Sequence, residues 1–264
     1  MGRLVLLSGP SCVGKGPLRR AVQKLYPELI AKMKNVVLYN DRDPRPSEID
    51  GKDYIFVKTG EIGAFPEDQY IKMEIRRGNF QALRIEDIKE VVESKKIGFL
   101  EAYYRFVSAI RSHHSLSSVQ PKITTVFLSP LSYEELTFFK KAYEALIKEI
   151  DRNEKTEKVS AELSKFTTDV MRRKLLRRVQ RQKGIPSIKD LEDVEKRAGT
   201  AYEEMRSASQ YDYILPNHDG EDSDNWEQFY YPIGDTRKAL LSFVQILEEE
   251  KPTYCERWSD NLLP

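Results

Sequence analysis

Residues 3–8, RLVLLS, form a continuous apolar run stopped by Gly9-Pro10, which predicts a short strand buried on both faces. From Pro17 the apolar positions change to helical spacing. Leu18, Val22, Leu25 and Tyr26 share one face of a helix predicted over 17–33. Further buried strands are predicted at 97–101, 123–128 and 211–215, the last closed by Pro216-Asn217. Helical patterns separate them at 84–95, 132–150, 190–208 and 235–250. Strands alternating with helices predict an α/β fold, a mostly parallel sheet flanked by helices.

Two stretches break that rhythm. Residues 41–80 are rich in turn formers (DRDPRPSEIDGKDY, then GEIGAFPED) and predict a small excursion with short strands. Residues 137–183 are highly charged and lack glycine and proline, which predicts a helical insertion or an extended arm. The 264 residues suit one large domain or a core carrying an insertion, and show no internal repeat.

Composition narrows the function classes. With 40% hydrophobic and 32% charged residues the chain has material for a core, and no apolar run approaches the roughly 20 residues of a membrane span. A short apolar stretch running straight into a glycine loop is no secretory signal, so a cytoplasmic location is expected. Two cysteines and three histidines give no disulfide framework and no metal site. The adjacent His113-His114 read as solvated loop residues.

The net charge of +1 points to no particular partner, yet its distribution is uneven. Residues 137–183 carry 14 Lys/Arg against 7 Asp/Glu; from Asp219 onward there are 4 against 11. Solvated helix faces that partly pair with each other are expected. The alternative is a nucleic-acid surface through Arg172, Arg173, Arg177, Arg178 and Arg181, with only Phe138, Phe139, Tyr143 and Phe166 to stack on bases.

The sharpest chemical signal is Gly9-Pro10-Ser11-Cys12-Val13-Gly14-Lys15, a GxxxxGK spacing between a predicted strand and a predicted helix. The glycines let the backbone turn its N–H groups inward around phosphate oxygens, and the helix that follows adds its positive end. Lys15 would reach the β- and γ-phosphates. The spacing predicts the phosphate loop of a P-loop NTPase, with ATP and Mg2+ expected at residues 9–16; the alternative is a chance glycine turn. Gly16 stands where a hydroxyl usually helps hold the metal, so phosphates, water or another side chain must hold it. Cys12, at a helix N-terminus, is expected to have a lowered pKa and to be either an oxidation-sensitive switch or a small residue filling the turn.

Together these features resemble the guanylate kinase family. The loop GPSCVGK is similar to the family's GPSGxGK. Arg42-Asp-Pro-Arg45-Pro-Ser-Glu-Ile-Asp-Gly-Lys-Asp-Tyr54-Ile-Phe-Val resembles its R-x-PR-x-GE-x-(D/N)G-x-DY-x-FV segment. Gly78-Asn79 through Glu101 follows its GNYYG…(I/L)LD region, and Lys196-Arg197 through Asn217 its KR…FDYVVVN ending. The resemblance runs over about 3–136 and 184–247. It implies a domain over 1–250, with core 1–36, 97–136 and 196–250, a nucleoside-monophosphate-binding region 37–96, and a helical arm and lid 137–195; a tail, 251–264, follows.

The resemblance also implies roles. Arg42 and Arg45 would grip an acceptor phosphate as two planar forks, with Tyr54 donating a further bond; without the family pattern they would read as solvated turn arginines. Arg197, and Arg181 or Lys183, would neutralise charge on the transferring phosphoryl group. Asn217 would lie near the donor adenine or simply cap a strand end. Gln81 and Glu101 would line the acceptor site.

The guanine-reading positions depart from the family. The hydroxyl position is Leu38, the acid Lys72, the tyrosine Gln81 and the serine Leu83; an aspartate falls on Tyr103, with Glu101 two residues earlier. An ammonium facing the donors of guanine cannot replace a carboxylate, although a shifted register would bring Glu74 or Glu67 to that place. The expected activity is transfer of the ATP γ-phosphoryl to GMP or a related phosphorylated acceptor. The alternatives are a catalytically silent guanylate kinase-like binding module and a sugar-phosphate kinase of the ribose-bisphosphate kinase type.

Overall fold

The computed structural model describes residues 2–44, 48–76, 78–147 and 151–264, the side chains of Arg76 and Arg152 excepted. The strands are β1 (Arg3–Ser8), β2 (Met33–Asn35), β3 (Tyr39–Asn40), β4 (Ile55–Phe56), β5 (Tyr70–Arg76), β6 (Asn79–Arg84), β7 (Ile97–Glu101), β8 (Ile123–Ser129) and β9 (Tyr213–Pro216). The helices are α1 (Lys15–Leu25), α2 (Pro27–Ala31), α3 (Ile85–Glu93), α4 (Tyr104–Ser112) and α5 (Tyr133–Leu146). They continue with α6 (Arg152–Lys183), α7 (Ile188–Gly199), α8 (Ala201–Arg206) and α9 (Gly234–Leu247). The helix expected over 17–33 is two: α1 ends at Leu25 because Pro27 lacks the N–H needed to continue it, and Pro27 opens α2.

Two compact units partition the chain, 1–7 with 28–125 and 8–27 with 126–264. In the first, β7 lies between β2 and β1, parallel to both, pairing Val5 and Asn35 with Phe99. Gly98 is required here: a Cβ would meet Val91 Cγ1 at 2.2 Å, so α3 packs directly on the strand. The excursion at 41–80 is part of a second sheet ordered β4-β3-β6-β5, with β6 antiparallel to both neighbours. Leu38, Ile62, Ile71, Ala82 and Leu83 are buried in and around this sheet.

In the second unit β8 and β9 run parallel, from Val126↔Tyr213 to Ser129↔Pro216. The charged stretch is helical as expected, forming α5 and the 32-residue α6. Val159, Leu163, Thr167, Met171, Leu175 and Val179 are buried at intervals of four. Each such step advances about 40° beyond a full turn, so the apolar stripe winds around α6 and meets different neighbours along its length. Near its middle Phe139 of α5 stacks on Phe166 at 4.3 Å; toward its end Met171, Leu175 and Val179 pack with Val194, Ala198 and Ala201.

Residues 251–264 pack within the second unit. The backbone of Glu256 pairs with Ile214 on β9, and Trp258, Leu262 and Leu263 are buried. The Pro264 carbonyl accepts from Ser160 Oγ at 3.0 Å and Tyr202 Oη at 2.8 Å.

Candidate active site

In the second unit the loop after β1 carries left-handed backbone at Gly9 (φ 143), Cys12 (φ 71) and Gly14 (φ 108). A Cβ on Gly9 would meet the Leu128 carbonyl at 2.3 Å, so glycine is required there. The loop's carbonyls have donors of their own. Lys15 Nζ donates to Gly9 O at 2.6 Å and Pro10 O at 2.9 Å, and Leu18 N to Gly14 O at 2.9 Å. Glu221 N donates to Cys12 O at 3.1 Å, and Asn217 Nδ2 to Val13 O at 2.8 Å. Within the loop Val13 N donates to Pro10 O at 3.4 Å; the glycine backbone and Lys15 are of the kind that would hold a phosphate, so the residues present fit a phosphate group. Lys15 folds over the loop within reach of an anion held there.

Cys12 corrects an expectation. Burial pushes its thiol up to about 12, with nearby Glu221 adding to the rise, instead of the lowering a helix N-terminus implied. Its side chain is 1% exposed and packs with Met171, Leu175 and Val179, so it fills space between the loop and α6.

Asn217 is fully buried at the end of β9 and spends its amide N–H groups on Val13 O and Asp219 O, both at 2.8 Å. That is a brace for the loop. Arg197, on α7, lies 2.7 Å from Asp193. Arg181, near the end of α6, donates to the Asp222 carbonyl at 2.6 Å and pairs with Asp224. Arg178, not singled out for catalysis from the sequence, pairs with Glu221 at 2.8 Å, close enough for its charge to act on Cys12. Its signal was the helical spacing of Lys174, Arg178 and Arg181, which turn one basic edge toward residues 221–224. A cavity of about 330 Å³, lined by Pro17, Arg20, Arg181, Glu221, Asp224 and Trp226 among others, opens beside the first turn of α1.

In the first unit Arg42, Tyr54, Gln81 and Glu101 come together. Arg42 grips Glu48 through both ends of its guanidinium, at 2.7 and 2.6 Å, and lies over the Tyr54 and Phe56 rings. Tyr54 reaches Arg42 and Gln81; burial raises its pKa, nearby Glu101 adds to the rise, and Arg42 opposes it. Asp41 anchors the approach to Arg42: it is 1% exposed, and its carboxylate accepts from Phe80 N at 2.6 Å and Gly60 N at 3.2 Å. Sequence reasoning gave no role to Asp41 or Glu48, although Glu48 lies in the segment that carried the resemblance and Asp41 directly before it. Arg45 lies outside the described residues.

The positions that the resemblance aligns with base reading carry Leu38, Lys72, Leu83 and Gln81, whose amide both donates and accepts. Leu38 and Leu83 are buried, and Lys72 Nζ donates to Gly63 O at 3.2 Å and Phe65 O at 3.0 Å. The Gly16 position is open, since a Cβ would meet only Arg20 Nη1, at 3.6 Å. Among the described residues no group of three His, Cys, Asp or Glu side chains is disposed to hold a metal ion, and no helix is long and apolar enough to cross a membrane.

The uneven charge is largely internal pairing. Arg172 binds Asp169 and Glu195, Lys174 lies 3.7 Å and Arg177 3.8 Å from Asp222, and Arg178 and Arg181 meet Glu221 and Asp224.

Comparison with known proteins bears on the family and the fold. A family model described as guanylate kinase matches residues 1–173. The chain is similar to the guanylate kinase of Nocardia farcinica, 34% identical over 138 residues that cover 51% of this chain and 66% of that protein. With the guanylate kinase of Nostoc sp. it shares 31% over 136 residues, 51% of this chain and 63% of the relative. The chain thus spans a little under two thirds of either relative's length. The crystal structure of guanylate kinase from Anaplasma phagocytophilum is similar in fold, with a TM-score of 0.52 at 17% identity over 96% of this chain and 87% of that one. The family match takes in 137–173, which the motifs had placed outside the resemblance, and stops short of 184–247. With that match over residues 1–173 and a P-loop α/β fold shared with a solved member, the chain belongs to the guanylate kinase family.

Proposed function

We propose that the protein is an ATP-dependent phosphotransferase that moves the γ-phosphoryl group to a small phosphorylated acceptor, GMP or a chemical relative. The observation that carries this reading is the phosphate loop with its carbonyls engaged and Lys15 folded over it. The Arg42–Tyr54 cluster supplies a cation and a hydroxyl for the acceptor phosphate. An anionic phosphate oxygen needs no general base to attack, so positioning and charge neutralisation carry the rate. Magnesium would enter on the nucleotide's phosphates and water, where it screens the oxygens of the transferring group. This chain adds the loop N–H groups, Lys15, Arg42 and, on our reading, Arg197 and Arg181.

The acceptor's base is read by other means than in the family pattern. Buried Leu38 and Leu83 offer guanine no hydrogen bond, and Lys72 presents a donor. These positions favour, as the second reading, a sugar phosphate of the kind taken by ribose-bisphosphate kinases, which needs the phosphate cluster and no purine contacts. A silent binding module draws support from Gly16 and from the engagement of Arg42 by Glu48. Coupled ADP release with ATP and magnesium against GMP, dGMP, AMP, CMP, UMP and ribose 1,5-bisphosphate separates these readings, with Lys15→Ala as control. Turnover with one acceptor, lost in the variant, is expected. No turnover with any of them, ATP still being bound, would leave the binding module.

A further inference from the structure

Residues 217–226, between β9 and α9, form a strap against one side of the phosphate loop. Asn217 Nδ2 takes the Val13 carbonyl and Glu221 N the Cys12 carbonyl. Gly220 sits so close that a Cβ there would meet Cys12 O at 2.0 Å. Trp226 is 6% exposed, and its Cζ2 lies 3.0 Å from where a Cβ on Gly14 would be. Its indole N–H donates to Asp219 O at 2.7 Å and Gly220 O at 3.1 Å. Asp219 closes the strap on itself by accepting from Ser223 Oγ at 2.9 Å, and ties it to α9 by accepting from Asp235 N at 3.2 Å. On its other side the strap's acids pair with Lys174, Arg178 and Arg181 of α6.

Each contact with the loop takes a carbonyl or abuts a glycine. Cys12 holds a left-handed backbone that costs a non-glycine residue about 1 kcal/mol, so the surroundings must impose it. We infer that Trp226 is a positioning residue for donor-phosphate binding. It presses on Gly14 and, through Asp219 and Gly220, fixes the groups that hold the Cys12 and Val13 carbonyls. The loop is then set for an anion before nucleotide arrives, and the ordering cost is met in folding. This inference rests on the reading that the loop holds ATP phosphates.

Two substitutions test it from opposite sides. Trp226→Phe keeps a ring against Gly14 and removes the N–H bonds. Gly220→Ala keeps Trp226 and pushes the strap off Cys12 O. In both, the dissociation constant for ADP by calorimetry should rise about three- to tenfold, the range of one or two lost neutral hydrogen bonds; melting temperature should change little in Trp226→Phe and fall in Gly220→Ala, whose added Cβ meets backbone. ADP should also shift the emission of Trp226, followed in a Trp258→Phe background. A lower melting temperature with ADP affinity unchanged in both variants would overturn the inference and leave Trp226 a packing residue. Unmodified protein that binds no more ADP than Lys15→Ala would overturn the reading of the loop and the inference with it.

Discussion

Arg42 holds Glu48 in a two-pronged ion pair at 2.7 and 2.6 Å, over the faces of Tyr54 and Phe56. The guanidinium is thus pre-aimed, with its planar fork aligned by a carboxylate and two rings. An acceptor phosphate has to share that fork or displace Glu48 from it. The fork matters more than the charge, since an ammonium cannot hold two parallel bonds.

Arg42→Lys should therefore raise the acceptor KM by about tenfold or more while leaving the KM for ATP unchanged. Steady-state kinetics with each substrate varied in turn checks the split. Equal changes in both constants would show that Arg42 supports the fold at large.

Lys15→Ala removes the charge from the loop and frees the Gly9 and Pro10 carbonyls. Turnover should fall by about 10²–10³, the size of one missing charge-stabilising donor in a water-poor site. Retention of most of the activity would remove Lys15 from the mechanism.

Cys12 should resist alkylation in the native protein. With its thiol at about 12, only about one molecule in ten thousand carries the thiolate at pH 8. A disulfide reagent should titrate Cys255 alone until denaturant is added, and two thiols reacting at similar rates in native buffer would contradict the burial.

His218 bridges Glu135 at 2.6 Å and Asp235 at 2.5 Å, and the bond to Glu135 leads in raising it to about 9. Because the folded state favours the charged imidazole, its contribution is full below about pH 6.5 and is lost as pH rises through 9. After allowance for a side chain 42% exposed, that is about 1–2 kcal/mol. The melting-temperature gap between wild type and His218→Gln should be largest near pH 6 and close by pH 10. A gap independent of pH would mean that packing, not charge, is at stake.

Trp258→Ala should cost about 3–5 kcal/mol, the price of emptying a buried aromatic site. Denaturant unfolding measures it, and a loss below about 1 kcal/mol would show that residues 251–264 are dispensable.

Much of the frame was legible because its cues are local. A continuous apolar run stopped by Gly9-Pro10 can be little else than a buried strand before a turn, and β1 follows it residue for residue. The helix α4 was passed over although Phe106, Val107 and Ile110 have helical spacing, because the aromatic run before it gives no capping residue. The packing of residues 251–264 was not legible for another reason. Trp258, Leu262 and Leu263 are too scattered to show periodicity, and their partners lie far away in sequence. The site divides likewise: the glycine spacing and the Arg42 turn are written in neighbouring residues, whereas the pairing of Arg178 with Glu221 spans 43 positions and needs the fold to appear.

The anchoring of residues 256–264 bears on the order in which the protein is made. Ser160 and Tyr202 wait for a partner 104 and 62 residues further on, and β9 for its neighbour at Glu256. A ribosome that has released α6 and β9 has produced elements whose last contacts are still unsynthesised. Until those residues emerge, the apolar surfaces that Trp258, Leu262 and Leu263 will cover stay open to chaperones or to other nascent chains.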